Sequence, residues 1–109
     1  MAFDERFAQR LRGLFDAAIP VTEKHMFGGI AFLVGGHMCA GVVGSDLMIR
    51  VGPRAYEECL KLPHAKPMDF TGRPMKGFLY IGETEKLSDG ALRGWLEIGL
   101  RFVATLPAK

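Results

Sequence analysis

The chain has 109 residues, of which 49% are hydrophobic and 24% charged, and its formal net charge is +2. This length predicts one domain spanning residues 1–109, and the composition is typical of a globular protein and excludes an intrinsically disordered one. No apolar run approaches the roughly twenty residues of a membrane span, and the N-terminus does not resemble a signal peptide, so we expect a cytoplasmic protein without membrane contact.

The first predicted element is an amphipathic helix that ends before Pro20. Its apolar residues recur at helical spacing, namely Phe3, Phe7, Leu11, Leu14, Phe15 and Ala18. The period changes in residues 25–51, where Gly35-Gly36 separates two apolar runs and predicts a two-residue hairpin turn. The segment LMIRV then predicts a third strand, which completes a meander.

The predicted hairpin pairs Val34 with His37, Leu33 with Met38, Phe32 with Cys39 and Ile30 with Gly41. Both of its faces are then apolar, whereas a sheet with one wet face alternates polar and apolar residues. If the helices pack on one face only, the bare face exceeds what monomers tolerate and favours a homodimer. The residues predicted for self-association are Phe27, Leu33, Met38 and Val42.

The second half of the chain predicts a short helix, a loop, a strand and a final helix. Pro53 suits the first position of the short helix, and residues 61–77 contain three prolines and no sustained period, which predicts a long loop. GFLYI predicts the fourth strand, and Ser88 is expected to cap the final helix. The predicted fold class is α+β, a small antiparallel sheet (a meander plus a fourth strand) flanked by N- and C-terminal helices.

No residue pattern indicates a metal, a cofactor or an activated nucleophile. The cysteines and histidines lack metal-ligand spacing, and the apolar neighbours of Cys39 and the acidic neighbours of Cys59 are expected to raise both thiol pKa values. Gly28-Gly29 is not a phosphate loop and is expected inside a strand, at a bulge or a close backbone approach. A small enzyme acting through Cys39, Cys59 or His64 remains an alternative.

The predicted loop is the candidate partner-binding element, because its cations face a single acid, Asp69. The residues that would contact a partner are Lys61, Lys66, Phe70, Arg73 and Lys76. Basic residues with an interleaved aromatic ring also suit a nucleic-acid backbone and base. A nucleic-acid-binding domain is therefore a second alternative.

The stretch HMFGGIAFLVGGHMCAGVVGSDLMIRVGP resembles the signature of the TfoX/Sxy N-terminal domain family, bacterial proteins linked to competence regulation. The matching positions are Phe27, Gly28, Gly29, Gly35, Gly36, Arg50 and Val51. The later PMDFTGRPMKGFLYI resembles short, stand-alone members. The resemblance implies an α+β fold similar to secretion-chaperone-like domains, which often dimerise. We expect a short, single-domain member, without the C-terminal domain of the two-domain regulators. Together these observations predict a non-catalytic regulatory or adaptor module that binds a protein partner or itself.

Overall fold

The computed structural model describes residues 3–26, 28–69 and 74–107. The elements in chain order are α1 (Glu5–Leu14), β1 (Val21–Met26), β2 (Gly29–Val34), β3 (His37–Val43), β4 (Asp46–Arg50), α2 (Tyr56–Leu60), β5 (Ala65–Asp69), β6 (Pro74–Ile81), a 3-10 turn (Thr84–Lys86) and α3 (Asp89–Val103). The strands form one antiparallel sheet in the order β1-β2-β3-β4-β6-β5. This architecture confirms the predicted α+β class.

The helices α1 and α3 pack on the same face of the sheet. Asp4 caps α1 by accepting a hydrogen bond from the Phe7 N–H at 3.1 Å, and Ser88 caps α3 by accepting one from the Ala91 N–H at 3.1 Å. The core between helices and sheet includes Phe7, Leu11, Leu92, Leu96, Phe32, Val42, Leu47, Ile49, Leu79 and Ile81. The opposite face carries none of the three helices that the described residues form.

α1 is shorter than the sequence predicted. The helix ends at Leu14, and Phe15 is already extended, with φ −72° and ψ 140°. Phe15 nevertheless keeps its apolar contact, because its ring lies 5.5 Å from that of Phe32. The apolar spacing therefore predicted the burial of Phe7 and Leu11 correctly, but it extended the helix too far, and Ala18 is exposed.

β1 is a strand that the sequence analysis did not separate from β2. Residues 22–25 are all exposed, so this edge strand lacks the alternation that indicates a half-buried strand. Met26 pairs with Gly29, and Gly28 between them has φ 72°, so Gly28 belongs to a turn and its predicted place inside a strand is wrong. The predicted close approach occurs at Gly29, where a Cβ would collide with the Val42 carbonyl oxygen.

The β2–β3 hairpin has the predicted turn but a different register. Gly35 and Gly36 take φ 61° and 81°, and the pairs of Val34 with His37 and of Leu33 with Met38 are confirmed. Beyond these pairs the register shifts by one residue. The predicted pairings of Phe32 with Cys39 and of Ile30 with Gly41 are wrong, since Phe32 faces Ala40 and Ile30 faces Val42.

The shift arises because Cys39 is the extra residue of a β-bulge. Its side chain points toward α3, where a Cβ added to Gly99 would lie 3.0 Å from the Cys39 sulfur. The bulge reverses the facing of the residues that follow it in β3. Val42 therefore lies on the helix-covered face, and its predicted place on the opposite face is wrong.

The predicted loop over residues 61–77 is also wrong, because most of it belongs to the β5–β6 hairpin. Pro67 lies in β5, an edge strand, and Pro74 is the first residue of β6. Proline has no backbone N–H to donate to a neighbouring strand. It is tolerated at both positions, because one lies in an edge strand and the other is the first residue of a strand. The prolines therefore suggested a loop, whereas the segment contains a strand at the edge of the sheet.

Candidate binding surfaces

The sheet face opposite the helices, here called the uncovered face, is the first candidate surface. Register places Ala31, Gly41, Met48 and Tyr80 in one row across four strands. Ala31 and Met48 are buried, although neither belongs to the helix-side core. The Met48 methyl group lies 2.6 Å from where a Gly41 Cβ would be, so it fills the space above that glycine. The centre of the uncovered face is thus apolar and closely packed.

Two of the four residues predicted for self-association lie on this face. Leu33 and Met38 face each other across β2 and β3 and are half-buried. Val42 lies on the helix side with a side-chain exposure of 0%, so it cannot contribute to the surface. Phe27 lies outside the described residues. Of the four predicted residues, Leu33 and Met38 therefore remain as candidates for self-association.

The uncovered face also carries groups that sequence reasoning missed. Phe78 pairs with Arg50 and is half-buried, and Tyr80 occupies the same face of β6. The Lys66 ammonium lies 3.1 Å from the Asp46 carboxylate. Burial, together with the nearby Asp46 carboxylate, raises the pKa of Tyr80 above its usual value. The period-2 alternation of β6 is the signal that would have placed Phe78 and Tyr80 together.

The predicted partner-binding cations do not form one patch. Lys61 follows α2 on the helix side, 3.6 Å from the Glu58 carboxylate, whereas Lys66 lies on the uncovered face beside Asp46. Lys76 is exposed. Phe70 and Arg73 lie outside the described residues. Because two of the lysines point to opposite sides and each has an acidic partner, the basic surface is weaker than the sequence suggested.

Neither cysteine is activated. Burial raises the pKa of the Cys39 thiol to about 12, and the nearby Arg50 opposes this shift only in part. Burial, and secondarily the Glu58 charge, raises the pKa of Cys59. Both directions were predicted and both are confirmed. A thiolate nucleophile requires a lowered pKa, so the two environments oppose cysteine chemistry.

The three histidines make separate contacts. The His25 ring lies 5.9 Å from the Phe3 ring, His37 Nε2 lies 2.5 Å from the Pro107 carbonyl oxygen, and His64 Nδ1 lies 3.1 Å from the Glu83 carboxylate. Within the described ranges, no three side chains of the metal-binding types come together as a site.

The Arg50-Val51 pair of the signature joins the sheet to α3. The Arg50 guanidinium lies 5.3 Å from the ring centre of Phe78 and 5.2 Å from that of Phe102. Such cation–π contacts are attractive, the more so when partly desolvated. Val51 is buried, and its N–H donates a 2.8 Å hydrogen bond to the Gly77 carbonyl. The role of these residues is therefore to hold the end of β4 against α3 and β6.

A groove between α2 and α3, here called the α2–α3 groove, is the second candidate surface. One end, of about 520 Å³, is lined by residues that include Ala55, Cys59, Ile98, Phe102, Arg54 and Arg101. The other end, of about 360 Å³, is lined by Leu62, Pro63, His64, Leu87, Ala91, Gly94, Trp95 and Ile98. Ile98 lines both ends. The sequence analysis predicted α3 but not the groove, because a local pattern does not show which residues of a helix face which neighbour.

Comparison with known proteins gives one family. The TfoX N-terminal domain matches residues 13–102, which is most of the chain. Neither the curated proteins nor the solved structures that were compared give a match. None of the helices in the described part of the chain has the length and apolar character needed to cross a membrane. The matched range contains the glycine turns and the Arg50-Val51 pair described above, and the chain belongs to the TfoX N-terminal domain family.

Proposed function

We propose that this domain is a non-catalytic regulatory module that binds through the uncovered face of its sheet, first of all to a second copy of itself. The observation that carries the proposal is that α1 and α3 cover the same face. Leu33 and Met38 consequently have no helix above them and are half-buried, and Phe78 on the same face is stacked against the Arg50 guanidinium. Apolar side chains that stay partly accessible together on one face suit an interaction site.

A second copy is the first partner to consider, because small proteins favour closed twofold pairs. A twofold axis through the uncovered face would place Leu33 and Met38 of one copy against the same face of the other. The Lys66–Asp46 ion pair would then lie nearer the border, where charged groups remain hydrated. Family membership supports a regulatory, competence-related role for such a module.

The thiols support the non-catalytic part of the proposal. A cysteine nucleophile needs a thiolate at neutral pH, and burial raises the pKa of both Cys39 and Cys59. His64, the remaining candidate, has its Nδ1 beside the Glu83 carboxylate rather than beside a thiol. The environments of these three side chains therefore support a binding function rather than a catalytic one.

Light scattering coupled to gel filtration tests the proposal. We expect the natural chain to have twice its monomer mass of 12.0 kDa. Leu33→Glu and Met38→Glu each place a charge on the uncovered face, and we expect both variants to be folded monomers because neither residue belongs to the helix-side core.

The control is Gln9→Glu, which adds the same charge to an exposed position of α1 on the other side of the sheet. This variant should keep the mass of the natural chain. A natural chain of 12.0 kDa at all concentrations would refute self-association. Variants that unfold by circular dichroism would show that Leu33 and Met38 serve the fold instead.

A further inference from the structure

α3 carries two adjacent apolar stripes, of which the sheet covers only one. The first stripe packs on the sheet and consists of Leu92, Leu96, Gly99 and Val103, all buried. The second consists of Ala91, Trp95, Ile98 and Phe102, at spacings of four, three and four residues. An apolar arc this wide exceeds what covering one sheet face requires, so the second stripe needs a neighbour of its own.

The helix on the other side of the α2–α3 groove from the second stripe is α2, which is much shorter than α3. α2 has 5 residues and α3 has 15, which correspond to about 7 Å and about 22 Å of helix. The second stripe is therefore covered only in part along the α2–α3 groove. Trp95 is 8% exposed and the Phe102 ring centre lies 5.2 Å from the Arg50 guanidinium, whereas Ile98 is half-buried and Ala91 is exposed. Leu62, two residues after α2, is 45% exposed beside the groove, and among the large hydrophobic residues of the described ranges it is the exposed one.

The charged side chains that line the α2–α3 groove are cationic, and carboxylates of Glu58, Glu83 and Glu97 lie beside its lining residues. The charged or titratable residues that line it are Arg54 and Arg101 at one end and His64 at the other. The carboxylate nearest to Arg101 is Glu97 at 3.9 Å, and the Arg101 side chain is 81% exposed, so it stays available to another anion. The groove thus combines an apolar floor with a basic end.

We propose that the α2–α3 groove binds an acidic amphipathic α-helix of a partner protein, about four turns long. Such a helix would place its apolar stripe on Trp95 and Ile98, as helices do in other hydrophobic grooves. Its acidic residues would lie beside Arg54 and Arg101. The groove lies on the opposite side of the sheet from the uncovered face, so this binding is independent of self-association.

A substitution at Gly94 blocks the groove without touching the core. Gly94 lines the groove, and no atom lies within 4 Å of the position of an added Cβ. Gly94→Glu therefore introduces bulk and negative charge where the partner helix would lie, and it replaces a helix-interior glycine by a better helix former. Gly13→Glu is the matched control, because Gly13 also has open space around its Cβ position but lies on α1, away from the α2–α3 groove.

The experiment selects from a display library of 16-residue helical peptides that lack tryptophan and vary in charge and apolar spacing. We expect the natural protein to enrich peptides with an apolar stripe flanked by acidic residues. Each peptide should shift the fluorescence of Trp95, the single tryptophan. Its affinity should fall about tenfold or more on Gly94→Glu and on Arg54→Glu/Arg101→Glu, and it should not change on Gly13→Glu.

Three results would overturn the proposal. The first is no enrichment above an unrelated protein. The second is enriched peptides that are basic, or that bind Gly94→Glu as tightly as the natural protein. The third is a change in solution mass caused by Gly94→Glu, which would place a second copy of this chain in the groove instead.

Discussion

Two glycines in the interior of α3 provide matched sites for testing how this helix packs. At Gly94 an added Cβ meets no atom within 4 Å. At Gly99 it would lie 2.8 Å from the Ile49 Cδ1 methyl, 3.0 Å from the Cys39 sulfur and 3.1 Å from the Cys39 carbonyl oxygen. The same substitution by alanine should therefore have different effects five residues apart on one helix.

The magnitudes follow from two opposing contributions. Replacing glycine by alanine inside a helix stabilises by about 1 kcal/mol, and Gly94→Ala should gain this in full because its Cβ is unobstructed. Gly99→Ala gains the same but overpacks the interface with β3 and β4, which costs about 1–3 kcal/mol. The backbone oxygen of Cys39 cannot rotate away as a side chain can. We expect Gly99→Ala to be about 1–3 kcal/mol less stable than Gly94→Ala.

Urea unfolding followed by Trp95 fluorescence, at one protein concentration, measures both variants. The difference corresponds to roughly 4–8 °C in Tm for each kcal/mol in a domain of this size. Equal stabilities would refute the close packing of α3 on the Cys39 bulge. A loss of stability in Gly94→Ala would show that the second stripe of α3 is covered.

The remaining predictions concern thiols, one ion pair and the signature arginine. Iodoacetamide at neutral pH should modify Cys39 and Cys59 far more slowly than a free thiol, since burial raises both pKa values; a faster rate would support an enzyme. The Arg12 hydrogen bond lowers the pKa of Glu23 from 4.5, so its stabilisation is present above that pH and is lost as the pH falls through the lowered value. Glu23→Gln should therefore cost about 0.2–1 kcal/mol at pH 7 and progressively less in acid, as urea unfolding at several pH values would reveal. Arg50→Ala should lower the free energy of unfolding by about 1–2 kcal/mol, and an unchanged urea midpoint would contradict its placement between two phenylalanine rings.

Local sequence patterns predicted correctly those features of the fold that depend on residues close together in the chain. The Gly35-Gly36 turn was predicted because glycine tolerates positive φ, and the Ser88 cap because its hydroxyl satisfies a free N–H of the first turn. Sequence reasoning failed where tertiary contacts decide. The Cys39 bulge packs against Gly99, which belongs to a helix sixty residues later in the chain, and no local pattern indicates this contact.

The candidate surfaces were predictable only in part, for the same reason. The Leu33–Met38 pair follows directly from the glycine turn, so its position was predicted correctly. Val42 lies beyond the bulge and was assigned to the wrong face. The α2–α3 groove depends on the relative lengths of two helices, and no local pattern in α3 indicates that its two apolar stripes face different neighbours.

The central claim is that the uncovered face mediates self-association, and the methyl NMR signal of Met38 tests it most directly. As the protein is concentrated through the range in which its mass doubles, we predict that the Met38 resonance shifts or broadens. The methyl group of Ala104, exposed at the end of α3, should not change. A Met38 signal that stays constant while the mass doubles, or a change confined to Ala104, would contradict the account.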